Sequence, residues 1–170
     1  MKKMMRNMRF VAIVALLVAM SSCSADSAEG RENPTTAEAV VANYNYNDSE
    51  IESMKLINDY RVSIGLNALK GINHVSFKCE EHNKYMIANN VVDHNDFTSR
   101  SNNIMSVLGA KKVGENVAYN YKTSEAALRA WLDSPGHKAN IEGDYTHFGL
   151  SVSIDPKSGK KYYTNIFVKM

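Results

Sequence analysis

The order of hydrophobic patterns along the chain predicts an α+β domain in which helices pack on an antiparallel sheet. Three observations carry this. Two segments with helical apolar spacing come first, over residues 49–64 and 73–90. A short period-two stretch, Val117 to Tyr121, is followed by a third helical segment that stops at Ser134-Pro135. The last quarter reads as a hairpin: Phe148, Leu150, Val152 and Ile154 alternate with polar partners, Asp155 to Gly159 turns, and Tyr162 to Val168 returns.

The elements have recognisable ends. Ser49 and Glu52 have capping-box spacing ahead of Ile51, Met54, Ile57 and Tyr60, and Gly65 is a natural residue for leaving that helix. In the second helix Val75, Cys79, His82 and Met86 recur at steps of four, three and four, which makes one apolar stripe. A polar loop is expected from His94 to Asn103, then a short helix through Ile104 and Leu108 that ends at Gly109. Thr123 or Ser124 caps the helix that turns Ala127, Leu128, Trp131 and Leu132 inward. Pro135 disfavours helical geometry at Ser134, and His137 then opens a short turn to Ile141.

Ahead of the domain lies an export segment. Lys2, Lys3, Arg6 and Arg9 precede an apolar run from Phe10 to Met20, too short to span a bilayer as a mature helix. The run ends in Met20-Ser21-Ser22-Cys23, which resembles a bacterial lipobox with Cys23 as the lipidated residue. The competing reading is a plain secretory signal with Cys23 a bystander. The organisation expected is a lipoprotein signal peptide over 1–22, a tether over 23–48 with a helical turn or two over 36–42, and a domain over 49–170. This places the protein in the cell envelope, bound to the membrane through its lipid anchor. The four leader bases account for the positive formal charge of +2. Without them, 16 basic residues face 18 acidic ones, so no basic footprint for nucleic acid survives processing. Acylation of Cys23 leaves Cys79 as the single thiol, and no internal disulfide is available.

Several side chains carry chemistry. His82 lies on an apolar stripe and reads as a core histidine satisfied by a backbone carbonyl; Cys79 beside it reads as a small buried hydrophobe, not a nucleophile. His94 between two acids is either a solvated loop residue or a ligand at a cleft edge. Glu115, at the head of the Val117 strand, is a charge that must sit at the surface or be paired. His147 stands at the mouth of the hairpin.

The segments Asn58-Asp59-Tyr60-Arg61, Glu81-His82, His94, Gly114-Glu115-Asn116, Trp131 through Ile141 and His147-Phe148-Gly149-Leu150 together resemble the CAP superfamily, also called the SCP domain, over about residues 51–168. The resemblance implies a three-layer α-β-α sandwich with a three- or four-stranded antiparallel sheet and a large central cleft. It also implies a cleft lined by His94, Glu115 and His147, with His94 and His147 able to hold a divalent ion such as zinc. The family's second glutamate, three residues after the tryptophan, is Ser134 here, which weakens any two-carboxylate chemistry. His137 is then either a substitute polar group of the cleft or a loop cap.

Two functions from different classes follow. One is a membrane-tethered binding module whose cleft takes a small ligand, lipid, peptide or glycan. The other is a metal-dependent hydrolase in which Glu115 is the general base. The chain contains no His-Glu-x-x-His segment and no Gly-x-Ser-x-Gly elbow, so binding is the preferred reading. Replacing Cys23 by alanine should move the protein from the detergent phase to the soluble fraction or block its processing, because the acyl chains supply the membrane affinity. Unchanged partitioning of the variant would disprove lipidation at this residue.

Overall fold

The first helix, α1 (Asp48–Ser63), starts at a capping box, though not the expected one. Asn47, not Ser49, is the cap: its side chain accepts from Glu50 N at 3.1 Å, and its own N–H donates to the Glu50 carboxylate at 2.9 Å. The two candidate boxes have identical spacing. Tertiary contacts decide between them, because the Glu50 carboxylate also accepts from Val152 N, Ser151 Oγ and Tyr44 Oη and is 1% exposed. The helix leaves through Gly65 at φ +83°, the left-handed position expected there.

This computed structural model describes residues 39–170. The signal peptide, Cys23 and the tether up to residue 38 lie outside the described residues. Of the helical turn expected over 36–42, residues 39–42 are non-helical. Packing on the domain begins before Ser49. Val41 N donates to His74 Nδ1, Ala42 O accepts from Asn73, Tyr46 Oη and Ser76 Oγ share a hydrogen bond, and Asn47 Nδ2 donates to Val152 O. Residues 41–47 therefore form a strap clasped to the start of the helix over Asn73–Asn89 and, through Asn47, to the sheet.

The remaining elements follow in order: β1 (Lys70–Gly71), α2 (Asn73–Asn89), α3 (Phe97–Leu108), β2 (Lys112–Tyr119), α4 (Ser124–Asp133), α5 (Pro135–Ile141), β3 (His147–Ile154) and β4 (Lys161–Lys169). The sheet order is β1-β3-β4-β2; β3 and β2 are antiparallel to β4, while the two-residue β1 joins β3 in parallel. Helices cover both faces. On one side Ile57 of α1, Ala127 and Trp131 of α4 and Ile141 of α5 pack on Phe148, Leu150, Tyr163 and Phe167. On the other, Val75 and Cys79 of α2 and Ile104 of α3 pack on Ile166 and Val168. The fold is thus the three-layer α+β sandwich, with four strands.

Three expectations are corrected here. The loop to Asn103 is helical from Phe97, so Arg100 belongs to a rigid element. β2 begins at Lys112, which puts Glu115 inside the strand and not at its head. β3 is buried on both faces as far as Val152, whereas Ile154, the last apolar residue of the expected alternation, is 58% exposed.

α2 carries the stripe expected of it. Val75, Cys79, His82 and Met86 are all buried, and His82 Nε2 donates to Asp93 O at 2.8 Å. The helix reaches the sheet at Gly149, where an added Cβ would lie 2.3 Å from Ser76 N and 2.5 Å from Val75 C. Across the sheet, Arg61 of α1 is fully buried and ties down the end of α5 by donating to Ile141 O and Gly143 O.

Trp131 is 2% exposed, meets Tyr163 edge-on at 6.4 Å and donates Nε1–H to Val117 O at 2.9 Å. Trp131→Ala should therefore lower unfolding free energy by about 3–5 kcal/mol in denaturant titration. A stability equal to wild type would contradict this placement.

Candidate functional site

β2 is an edge strand, and the candidate site is built around it. The segment Gly114-Glu115-Asn116 divides its work by the alternation of a strand. Gly114 faces α5, where a Cβ would lie 2.5 Å from Tyr145 Oη and 2.8 Å from Asn140 Oδ1, so a larger residue would have to displace the ends of both side chains. Asn116, on the same face, donates to His137 O at 3.0 Å and accepts from Asn140 Nδ2 at 2.8 Å, which fixes α5 against β2. Glu115 points the other way, toward α3 and the loop before it.

The Glu115 carboxylate is 1% exposed and held by two cationic or potentially cationic groups. Arg100 on α3 donates through Nε to Oε2 at 3.0 Å and through Nη2 to Oε1 at 2.9 Å, a bidentate fork. His94 donates from Nδ1 to Oε1 at 2.8 Å. The arginine side chain is 11% exposed and the histidine 48%, so the cluster runs from the interior to the surface and ends in the His94 ring. Arg100 is the residue that sequence reasoning missed. Its neighbours Thr98, Ser99, Ser101, Asn102 and Asn103 are all polar and give no helical period, so nothing in the sequence marks it as a partner of Glu115.

On the far side of the β2 edge lies a groove of about 370 Å³, walled by Val117, Tyr119, Tyr121, Trp131, Ser134 and His137. Ser134 is in extended geometry at the junction of α4 and α5, as the following proline requires, and faces this groove. His137 has its pKa pushed below the ordinary histidine value, chiefly by burial and further by the charge of His94. The structure thus gathers His94, Glu115, Ser134 and His137 along one edge.

His147 does not join them. It starts β3, where its cross-sheet row runs to Val168 and then Val113, with β4 between it and β2. Two strand spacings of about 4.8 Å keep it from that edge. Its Nδ1 shares a hydrogen bond with Thr146 Oγ1, and its pKa is lowered by burial and by Lys70. The expectation that His94 and His147 face each other is corrected by this strand order; the histidine electrostatically coupled to His94 is His137.

Comparison with known proteins decides the family. The sequence profile of the cysteine-rich secretory protein family, CAP, matches residues 54–168. This chain belongs to the CAP family. A membrane protein of Bacillus subtilis, YlbC, is 34% identical over 125 residues, which is 71% of this chain and 34% of that protein. An extracellular SCP-domain protein of Bacillus anthracis superposes with a TM-score of 0.61 at 27% identity, covering 72% of this chain and 40% of the other. An outer surface protein of Borrelia burgdorferi shares the fold at a TM-score of 0.66 and 18% identity, covering 76% of this chain and 98% of that one. The CAP domain here spans about a third of the length of the first of these relatives. Among the described residues, no helix is long and apolar enough to cross a membrane.

The donor set of this CAP domain does not fit zinc. Glu115 spends both carboxylate oxygens on Arg100 and one also on His94, and His147 is remote. Among the described residues no three His, Cys, Asp or Glu side chains converge, whereas a zinc site takes three or four protein ligands.

The Arg100–Glu115 pair is the energetic centre of the site. Arg100→Met should destabilise the domain by about 3–5 kcal/mol, because it strands a buried carboxylate. Arg100→Met combined with Glu115→Met should cost less than the two single changes added, as measured by a double-mutant cycle in denaturant. Strict additivity would show that the two side chains are energetically independent.

Proposed function

We propose that this CAP domain is a non-catalytic binding module, held at the outer face of a membrane through Cys23, that takes a small amphipathic ligand in the groove along β2. The observation that carries the reading is the state of Glu115. A general base needs a free lone pair aimed at a water, and this carboxylate is already compensated by an arginine fork and an imidazole. It suits a fixed polar wall better than a proton acceptor, and no observation favours the hydrolase.

The shape of the groove supports a ligand class. Its walls are the apolar and aromatic surfaces of Val117, Tyr119, Tyr121 and Trp131, with Ser134 and His137 as the polar groups. That pattern fits a short apolar body carrying a hydrogen-bonding head. It argues against a peptide added as a further strand. Two carbonyls of β2, Glu115 O and Val117 O, are already occupied by Asn140 Nδ2 at 3.1 Å and Trp131 Nε1 at 2.9 Å. The relatives support the outer-face location, since one is named a membrane protein and another an extracellular protein.

The test is native mass spectrometry of the protein purified from its own envelope, beside an Ala130→Trp variant, since Ala130 also lines the groove and a tryptophan there would fill it. The expected result is a co-purified small molecule on the wild type that is absent from the variant. A ligand retained by the variant, or turnover of any ester or peptide that is lost in Glu115→Gln, would overturn the reading.

A further inference from the structure

All four strands carry a basic residue at the same end of the sheet. β1 begins at Lys70, β3 at His147 and β2 at Lys112, while β4 ends at Lys169. The register sets Lys70 beside His147 and Lys112 beside Lys169. Lys111 continues the row just before β2. Three strand spacings make the row about 14 Å wide.

The charges of this row are poorly answered. Lys70, Lys111 and Lys112 are exposed and form no ion pair with a carboxylate among the described residues; Lys112 Nζ stands over the Tyr145 ring at 4.5 Å instead. Segments 66–70, 108–113, 144–147 and 168–170 meet at this end and contain a single acid, Asp144. It is bound to Lys169 at 2.6 Å. A carboxylate at Met170, counted as well, still leaves four lysines against two acids. The opposite end of the sheet also carries lysines, but Asp48, Glu52, Glu125 and Asp155 stand among them. The row is thus a local positive excess on a chain whose acids outnumber its bases once the leader is set aside.

The course of the chain is an independent observation. The strap runs from Asn47, which donates to Val152 O, to Val41, whose N–H reaches His74. Val152 lies toward the far end of β3. His74 follows closely on Lys70 and Ile72, and Ile72 N donates to Phe148 O beside the row. The strap therefore descends toward the lysines, and the preceding chain enters the domain at their end. Sixteen residues, 23–38, separate Cys23 from that point, and they reach at most about 55 Å.

We propose that this end of the sheet is a docking surface for an anionic lipid bilayer, with Lys70, Lys111 and Lys112 as its contacts. The proposal rests on the anchoring at Cys23, which brings the surface and the bilayer together. Each basic side chain near an anionic membrane strengthens attachment about fivefold. Three give on the order of a hundredfold, which is modest for a free protein but effective once a tether has made the encounter intramolecular. Ammonium groups on flexible stems suit a fluid array of phosphates, which demands no fixed fork geometry. Docking also sets an orientation. The groove walled by Val117, Tyr119 and Tyr121 lies toward the other end of β2 and is turned away from the bilayer.

The test places protein extracted from its own envelope on lipid nanodiscs doped with a nitroxide-headgroup lipid. One set is phosphatidylcholine and the other contains about a third phosphatidylglycerol. On the anionic discs, nitrogen-15 NMR should show the backbone amides of Lys70, Lys111, Lys112 and His147 broadened most. Salt at about 0.5 M should remove the broadening, because screening shortens the reach of the charges. The triple change Lys70→Gln, Lys111→Gln and Lys112→Gln should shift the docked equilibrium roughly a hundredfold toward the free orientation while the protein stays on the discs. The triple change Lys122→Gln, Lys157→Gln and Lys160→Gln, at the opposite end of the sheet, should leave the broadening unchanged. Protein that joins discs of neither composition would overturn the anchor and the docking together. Protein that joins both but shows no broadening at the row, equal broadening on neutral lipid, or broadening that survives the first triple change would overturn the docking alone.

Discussion

The layers of this protein depend on how closely α2 approaches the sheet. At Gly149 the helix backbone of Val75 and Ser76 occupies the space of a side chain, so β3 must present a hydrogen there. Because the approach is so close, short polar side chains of α2 reach strand backbone directly. Ser76 Oγ accepts from Leu150 N, Cys79 donates to Gly149 O at 3.4 Å, and Asn83 bridges Ser151 O and Thr164 Oγ1. These contacts explain why a strand face containing Ser151 and Thr164, packed on a helix face containing Asn83, can be buried. Its polar groups are paired across the layer, as burial demands. They also explain the inertness of Cys79, whose thiol is pushed up by complete burial and has no access to solvent.

The same logic, carried to the edge of the sheet, produces the site. An edge strand exposes unpaired backbone groups that invite other chains. Here β2 is managed by side chains from α4 and α5, with Trp131 and Asn140 each covering a carbonyl. Once α5 is tied down by Asn116 on one face, the opposite face of the same strand is free to bury Glu115, provided a cation follows it in. Arg100 is that cation, and His94 completes the carboxylate's shell at the surface. A burial problem and its solution thus leave an imidazole at a groove mouth beside a second one, His137.

What the sequence made legible follows from which forces are local. Helix stripes, the Gly65 and Gly109 exits, the Thr123 cap and the stop at Pro135 depend on neighbours a few residues away, and all occur where the periodicity puts them. His82 was readable too, since a histidine on an apolar stripe has to find a backbone carbonyl. Other features turn on distant partners. Asn47-x-x-Glu50 and Ser49-x-x-Glu52 are indistinguishable until Val152 comes to Glu50. Arg100 sits in a helix whose first turn has neither apolar period nor a capping side chain. The expected pairing of His94 with His147 fails because sequence gives element edges and not strand order, and it is strand order that separates His147 from β2 while α5 carries His137 to it.

The strap of residues 41–47 has a mechanical meaning. Any tension on the chain from before Ala39 enters the domain here, ahead of α1. It meets the bond from Val41 to His74 first, then Ala42 to Asn73, then Tyr46 to Ser76 of α2 and Asn47 to Val152 of β3. Each is a lone hydrogen bond of about 1 kcal/mol, arranged in series along the pulling direction. Such a chain of weak fastenings yields one link at a time and lengthens by a few residues as it does, absorbing a tug before the load reaches the core. The buried Glu50, which grips Tyr44, the Asn47 amide and β3 at once, is where that yielding would stop.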